Sequence, residues 1–321
     1  MDINPVSEKK RIFIFDNIKA VLMILVVFGH LLELIKGDTA SFIYRAVYCF
    51  HMPLFIFIFG FFTKTDNSKS LKKNLIVYCI WQILYLVFTG LISGTYIVIQ
   101  FTTPYWLMWF LLTMIEYMLI IPIIDTDDRQ KQITIIAVSV LISLLSGYDS
   151  NIGYYMSISR TCVFLPFFVT GFYAKKYSFL IADKAKKKNV MITSLMLSAF
   201  FIGVSFWFIA DGTITEQDLY GALSYSNQGG SALMRLVIML SAIGYGIILF
   251  YIMPNKQLPF ITKIGANTFS VYLLHGFLVK CLGMTGFIKG EGILTIATAL
   301  GIAILVTFLL GNKFVSRFIR L

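Results

Sequence analysis

The stretch FDNIKAVLMILVVFGH, Phe15 to His30, decides the fold. It has the length and greasiness of a membrane helix, yet it carries an acid, an amine and an imidazole in Asp16, Lys19 and His30. The rest of the chain has the same character. It is 58% hydrophobic and 13% charged, with a mean hydropathy of +0.81, which leaves too little polar surface for a water-soluble globule. A helix needs about 17 to 25 apolar residues to cross about 30 Å of hydrocarbon. Ten segments approach or meet this: Ile12–Ile35, Ala40–Phe62, Leu75–Ser93, Trp106–Ile124, Ile133–Leu145, Thr161–Ala174, Val190–Ala210, Ala232–Met253, Thr268–Met284 and Ile293–Gly311. The expectation is an all-α polytopic membrane protein with about ten transmembrane helices and one domain over residues 1–321.

Charge placement orients it. With the N-terminus inside, twenty of the 27 Lys and Arg residues fall on cytoplasmic loops or helix ends and six on the outer side, with Lys19 inside the first span. This bias predicts both termini in the cytoplasm. The net charge of +11 is thereby accounted for by topology and an anionic inner leaflet, so no nucleic-acid partner is expected. The first apolar segment is followed at once by a second, which reads as a retained signal anchor rather than a cleaved leader. Cys49, Cys79, Cys162 and Cys281 are scattered singly through apolar segments, without metal-ligand spacing, and read as small buried hydrophobes. No metal site is expected.

Polar residues inside a span cost about 2.5 to 3.5 kcal/mol each at the helix centre, so each is a candidate site. At about 100° per residue, Lys19 and His30 fall about 20° apart around the axis and about 16 Å apart along it. Asp16 flanks them, and Glu33 lies one turn beyond His30. The four make one polar seam, with Gly29 beside it admitting close approach. Snorkelling of Asp16 and Lys19 to the headgroups, with a hydrogen-bonded core His30, is the plainer alternative. Their shared stripe argues for a site.

The pairing of FDNIKAVLMILVVFGH with FHMPLFIFIFGFF, Phe50 to Phe62, resembles the family-3 transmembrane acyltransferases, O-acetylases of bacterial surface glycans, and within them the branch of fucose 4-O-acetylases. SLKKNLIVY from Ser70, YWLMWFL from Tyr105, RTCVFLPFFVTGFYAKK from Arg160 and KIGANTFSVYLLH from Lys263 follow in the family's order. Three positions depart from it: Lys19 stands where much of the family has Arg, Phe59 where it has Ser, and Val77 where it often has Pro. The first replaces a planar fork with a point charge.

The resemblance implies transfer of an acyl group, usually acetyl from cytoplasmic acetyl-CoA, to a hydroxyl of a cell-surface or lipid-linked saccharide in the bacterial cytoplasmic membrane. Its partners would be membrane lipids and glycan-synthesis enzymes. An imidazole suits that chemistry, because it can take the hydroxyl proton during attack on a thioester; it could also carry the acyl group itself. His30 is therefore the expected base or relay. Glu33, the mid-span Glu116, or neither supports it. Lys19, partnered by Asp16, would contact the donor, and Lys72 and Lys73 would hold its phosphates. His51 reads as an acceptor-side residue or a mere helix start, Arg160 as an acceptor contact or a structural ion pair, and His275 as an acceptor contact or a packed core histidine. A carrier or polysaccharide exporter of the same fold is the alternative. Against it, no inverted repeat and no paired Gly/Pro-broken spans are visible.

Overall fold

A computed structural model describes residues 12–177, 187–288 and 290–319. Lys9, Lys10, Arg11, Lys184, Lys186, Lys289 and Arg320, part of the charge count above, lie outside them. The described residues form helices without strands. Nine helical segments among them are long and apolar enough to cross a membrane. The sixth expected span, Thr161–Ala174, is outside those nine; it is helix α7, Ile158–Ala174, which at 17 residues rises about 26 Å and packs between other helices. Large apolar side chains such as Leu294, Trp207 and Phe200 are exposed on the outer faces, as a hydrocarbon solvent requires.

Helix α1, Phe13–Leu32, is the axis of the bundle. Around it pack α2 (Asp38–Tyr48), α3 (His51–Phe62), α11 (Ala232–Ile252), α12 (Ile261–Ala266), α13 (Thr268–Thr285) and α14 (Ile293–Leu310). Its first turns are anchored by a buried Asn17, whose amide donates to the Pro254 and Lys256 carbonyls at 2.9 and 3.1 Å and whose Oδ1 accepts from Thr262 at 2.7 Å. Gly265 of α12 meets the same turn, and a Cβ there would overlap the Asp16 carbonyl. Small residues permit such backbone contact in a membrane, where close packing replaces the hydrophobic drive.

The second expected span is two helices. α2 stops at Tyr48 and α3 starts at His51. Pro53 explains the break, because its ring lacks an N–H and would clash with the Cys49 carbonyl one turn back in a continuous helix. His51 bridges the gap, its Nδ1 donating to the Val47 carbonyl at 2.8 Å. α3 and α7 then pack backbone to backbone: a Cβ on Gly60 would overlap the Phe168 carbonyl, and one on Gly171 the Phe57 carbonyl.

Two helices extend beyond their apolar cores into polar sequence. α4 runs Ser68–Ser93 and so contains Lys72 and Lys73. α6 runs Arg129–Leu145 because the Asp128 carboxylate caps it, accepting from the Gln130 and Lys131 amides. α5 (Trp109–Ile124) follows a 3-10 turn, and α8 (Lys188–Ala210) pairs with α11 on one flank. Two short helices, α9 (Glu216–Tyr220) and α10 (Tyr225–Gln228), lie between α8 and α11; α15 (Lys313–Ile319) ends the described chain. The loop from α4 to α5 is fixed by the buried Gln82, which donates to the Gln100 and Thr103 carbonyls and accepts from the Tyr105 amide.

Candidate active site

Between α1, α3, α4, α5 and α7 lies a cavity of about 840 Å³. One end is lined by Lys19, Lys73 and Asn74, the middle by apolar side chains such as Val26, Phe55 and Met114, and the other end by His30, Glu33, Trp106, Tyr154, Arg160 and Tyr220. The polar seam of α1 thus runs along one wall of a continuous space.

At the far end, the His30 Nδ1 lies 2.8 Å from the Glu33 Oε1. A carboxylate oxygen only accepts, so Nδ1 carries the proton and Nε2 is left as the second functional atom of the ring. The i, i+3 spacing at the end of a helix brings these groups together. The same Oε1 accepts from the Tyr48 hydroxyl at 2.9 Å and the Tyr44 hydroxyl at 3.3 Å, and Tyr44 is 2.6 Å from the Tyr220 hydroxyl. Burial pushes the Tyr220 phenol up to about 12, so at neutral pH it is an uncharged donor. Glu33 is therefore held by an imidazole and two phenols, which fixes its position and that of His30. Neither Tyr44 nor Tyr48 stands out in the sequence, since both lie among ordinary aromatics. The only signal was their i, i+4 spacing on α2, which stacks their rings 4.0 Å apart.

All three histidines of the chain collect here. The His275 ring is 5.5 Å from that of His30. His275 is fully buried, does not line the cavity, and donates Nδ1 to the Val271 carbonyl at 2.8 Å. It stands behind His30 rather than at an acceptor surface, and its Nε2 has no hydrogen-bond partner among the described residues. His51 lines the cavity, with its ring 4.6 Å from that of Tyr48. Tyr48 also covers Gly29, so what approaches that glycine closely is a side-chain ring rather than a backbone or a ligand. Trp106 packs 4.9 Å from His30 with a φ of 39°, a strained backbone of the kind that persists where packing over-determines it.

At the near end, Lys19 and Asp16 form an ion pair of 2.9 Å. Lys72 and Lys73 are both exposed, but only Lys73 lines the cavity. Glu116 is bound by Thr161, which in turn contacts Thr113 at 2.9 Å. It takes no part in the His30 network and does not line the cavity. Of the two acids, Glu33 is the one within hydrogen-bond reach of His30, because three residues along a helix end bring it there, whereas a side chain on α5 engaged by α7 does not reach it. Arg160 has no carboxylate partner among the described residues; it sits against Trp109 and Tyr154 and reaches the cavity.

A family model described as an acyltransferase domain matches residues 12–312. The chain belongs to this acyltransferase family. It is a membrane acyltransferase, and the cavity just described lies wholly within the matched region. Among curated proteins, the family member is 24% identical to the nodulation protein NolL of Mesorhizobium japonicum over 336 aligned positions, covering 94% of this chain and 86% of that protein. A NolL of Sinorhizobium fredii is 45% identical over 60 positions, 17% of this chain and 16% of that one. No solved structure matches the acyltransferase chain.

Proposed function

We propose that this acyltransferase moves acetyl from acetyl-CoA to a saccharide hydroxyl in the bacterial cytoplasmic membrane, with His30 as general base. The observation that carries the reading is the His30–Glu33 pair, 2.8 Å apart, opening on the cavity that Lys19 and Lys73 also line. Donor phosphates would meet the Lys19 and Lys73 end from the cytoplasm, and the pantetheine arm would lie along the apolar middle. About 16 Å of helix separates Lys19 from His30, a span suited to a long, thin donor arm. The acceptor would enter from the other end, where Trp106, Tyr154 and Tyr220 offer faces for a pyranose ring.

In this mechanism the hydroxyl oxygen attacks the thioester carbonyl as its proton passes to the His30 Nε2. Glu33 stabilises the resulting imidazolium through Nδ1 and holds the ring in the productive tautomer. Collapse of the tetrahedral intermediate breaks the C–S bond, and the imidazolium returns its proton to the departing thiolate. No net charge is left behind in the membrane.

The test compares a deletion strain carrying the wild type with one carrying His30→Ala at matched membrane levels, reading O-acetyl esters on surface and lipid-linked glycans by mass spectrometry. Loss of esters with polymer export intact is expected. Lost export with esters unchanged would overturn the reading and favour a carrier.

A further inference from the structure

Arg160 is an unspent cation. Its guanidinium carbon lies 4.9 Å from the centroid of Trp109 and 5.4 Å from that of Tyr154, and its Nε donates to the Tyr220 carbonyl at 3.2 Å. These contacts hold the plane and leave the two Nη groups, with four N–H bonds, unmatched by any acceptor among the described residues. No carboxylate of those residues lies within ion-pair distance of it. Among the described residues Glu33 is the only acid lining the cavity; its Oε1 is taken by His30, Tyr48 and Tyr44, and it forms no ion pair with Arg160.

Arg160 is also built into place. Met156 and Ser157, just before it, have φ of 50° and 57°, and the Met156 amide donates to the Thr102 carbonyl of the loop that carries Trp106. Two strained residues and an interloop hydrogen bond thus set the start of α7, where the guanidinium meets the cavity. Charges withdrawn from water are ordinarily paired, and a rigid, stacked guanidinium fork matches the two oxygens of a carboxylate or phosphate better than a neutral hydroxyl does.

We infer that Arg160 binds an oxyanion of the acceptor, so that the saccharide acylated here carries a carboxylate or a phosphate ester within the unit that enters the cavity. This rests on the acyl-transfer reading of the same cavity. Cations then stand at both ends, Lys19 and Lys73 for the donor's phosphates and Arg160 for the acceptor's anion, with His30 at the acceptor end. Arg160 acts on acceptor affinity and orientation rather than on the chemistry.

The experiment uses the acceptor glycan isolated from a deletion strain, in its native, carboxyl-reduced and dephosphorylated forms. Each is incubated with labelled acetyl-CoA and membranes holding wild type, His30→Ala, Arg160→Gln or Arg160→Lys at equal levels. Label entering the native glycan and lost on carboxyl reduction identifies a carboxylate; label lost on dephosphorylation identifies a phosphate. Removing the charge-assisted contact raises acceptor KM about ten- to a hundredfold in Arg160→Gln, with partial recovery in Arg160→Lys. The stabilisation of the detergent-purified variant by acetyl-CoA stays unchanged, which separates acceptor loss from misfolding. Equal labelling of all three glycan forms, or wild-type acceptor KM in Arg160→Gln, overturns the oxyanion while leaving acyl transfer standing. Equal labelling by wild type and His30→Ala overturns both.

Discussion

A single carboxylate oxygen holds the site together. Glu33 Oε1 accepts from His30, Tyr48 and Tyr44, so the residues that set the imidazole's tautomer are shared between the end of α1 and the face of α2. Glu33→Gln keeps the shape but replaces the acceptor of Nδ1–H with a neutral group; kcat is expected to fall about a hundredfold or more with little change in either KM. Tyr48→Phe removes one donor and leaves the carboxylate held by two, so a fall in kcat of about tenfold is expected. Steady-state kinetics with labelled acetyl-CoA checks both, and a larger loss in Tyr48→Phe than in Glu33→Gln contradicts this ordering. Lys19→Arg retains the charge beside Asp16 and is expected to retain activity, whereas Lys19→Met raises donor KM about tenfold. The stripe formed by Asp16, Lys19, His30 and Glu33 was legible in the sequence because helical periodicity is a local property. The two tyrosines were not, since their role comes from which helix they face.

Element geometry depends on a few small residues. Gly265 lets α12 touch α1 at the Asp16 carbonyl, and Gly60 and Gly171 let α3 and α7 touch each other. Gly265→Ala is expected to destabilise by about 1 to 3 kcal/mol through overpacking and, because it displaces the turn carrying Asp16 and Lys19, to raise donor KM as well. Thermal unfolding in detergent together with kinetics reads both effects; a normal midpoint shows that the contact is not tight. Pro53 breaks the second span into α2 and α3, a division hidden from hydropathy because both halves are apolar. Its result is positional. The break lets α2 carry Tyr44 and Tyr48 to Glu33, while His51 spans the gap.

Over the whole molecule, a charged end, an apolar middle and an aromatic end share one cavity, while the outward faces are apolar. The two ends face opposite sides of the membrane in the proposed function, and this is open to a direct test. In a background with the four native cysteines replaced, Tyr96→Cys, at a fully exposed position in the loop after α4, is expected to react with an impermeant maleimide added to intact cells. Lys69→Cys, at the start of α4, is expected to react only after permeabilisation. The reverse pattern overturns the orientation derived from charge bias. Composition and segment length alone specified a polytopic helical membrane protein, since burial in lipid demands long apolar runs and helical hydrogen bonding. The eleven-residue spacing likewise placed Lys19 and His30 on one stripe of α1, since rise and twist per residue are constants of the helix. Only the tertiary structure decided that Glu33 rather than Glu116 meets His30, that His275 stands behind the site while Arg160 reaches it, and that Lys73 but not Lys72 borders the cavity. Those choices turn on the rotation and packing of separate helices, which are set by backbone contacts at glycines and a proline break between residues distant in the chain.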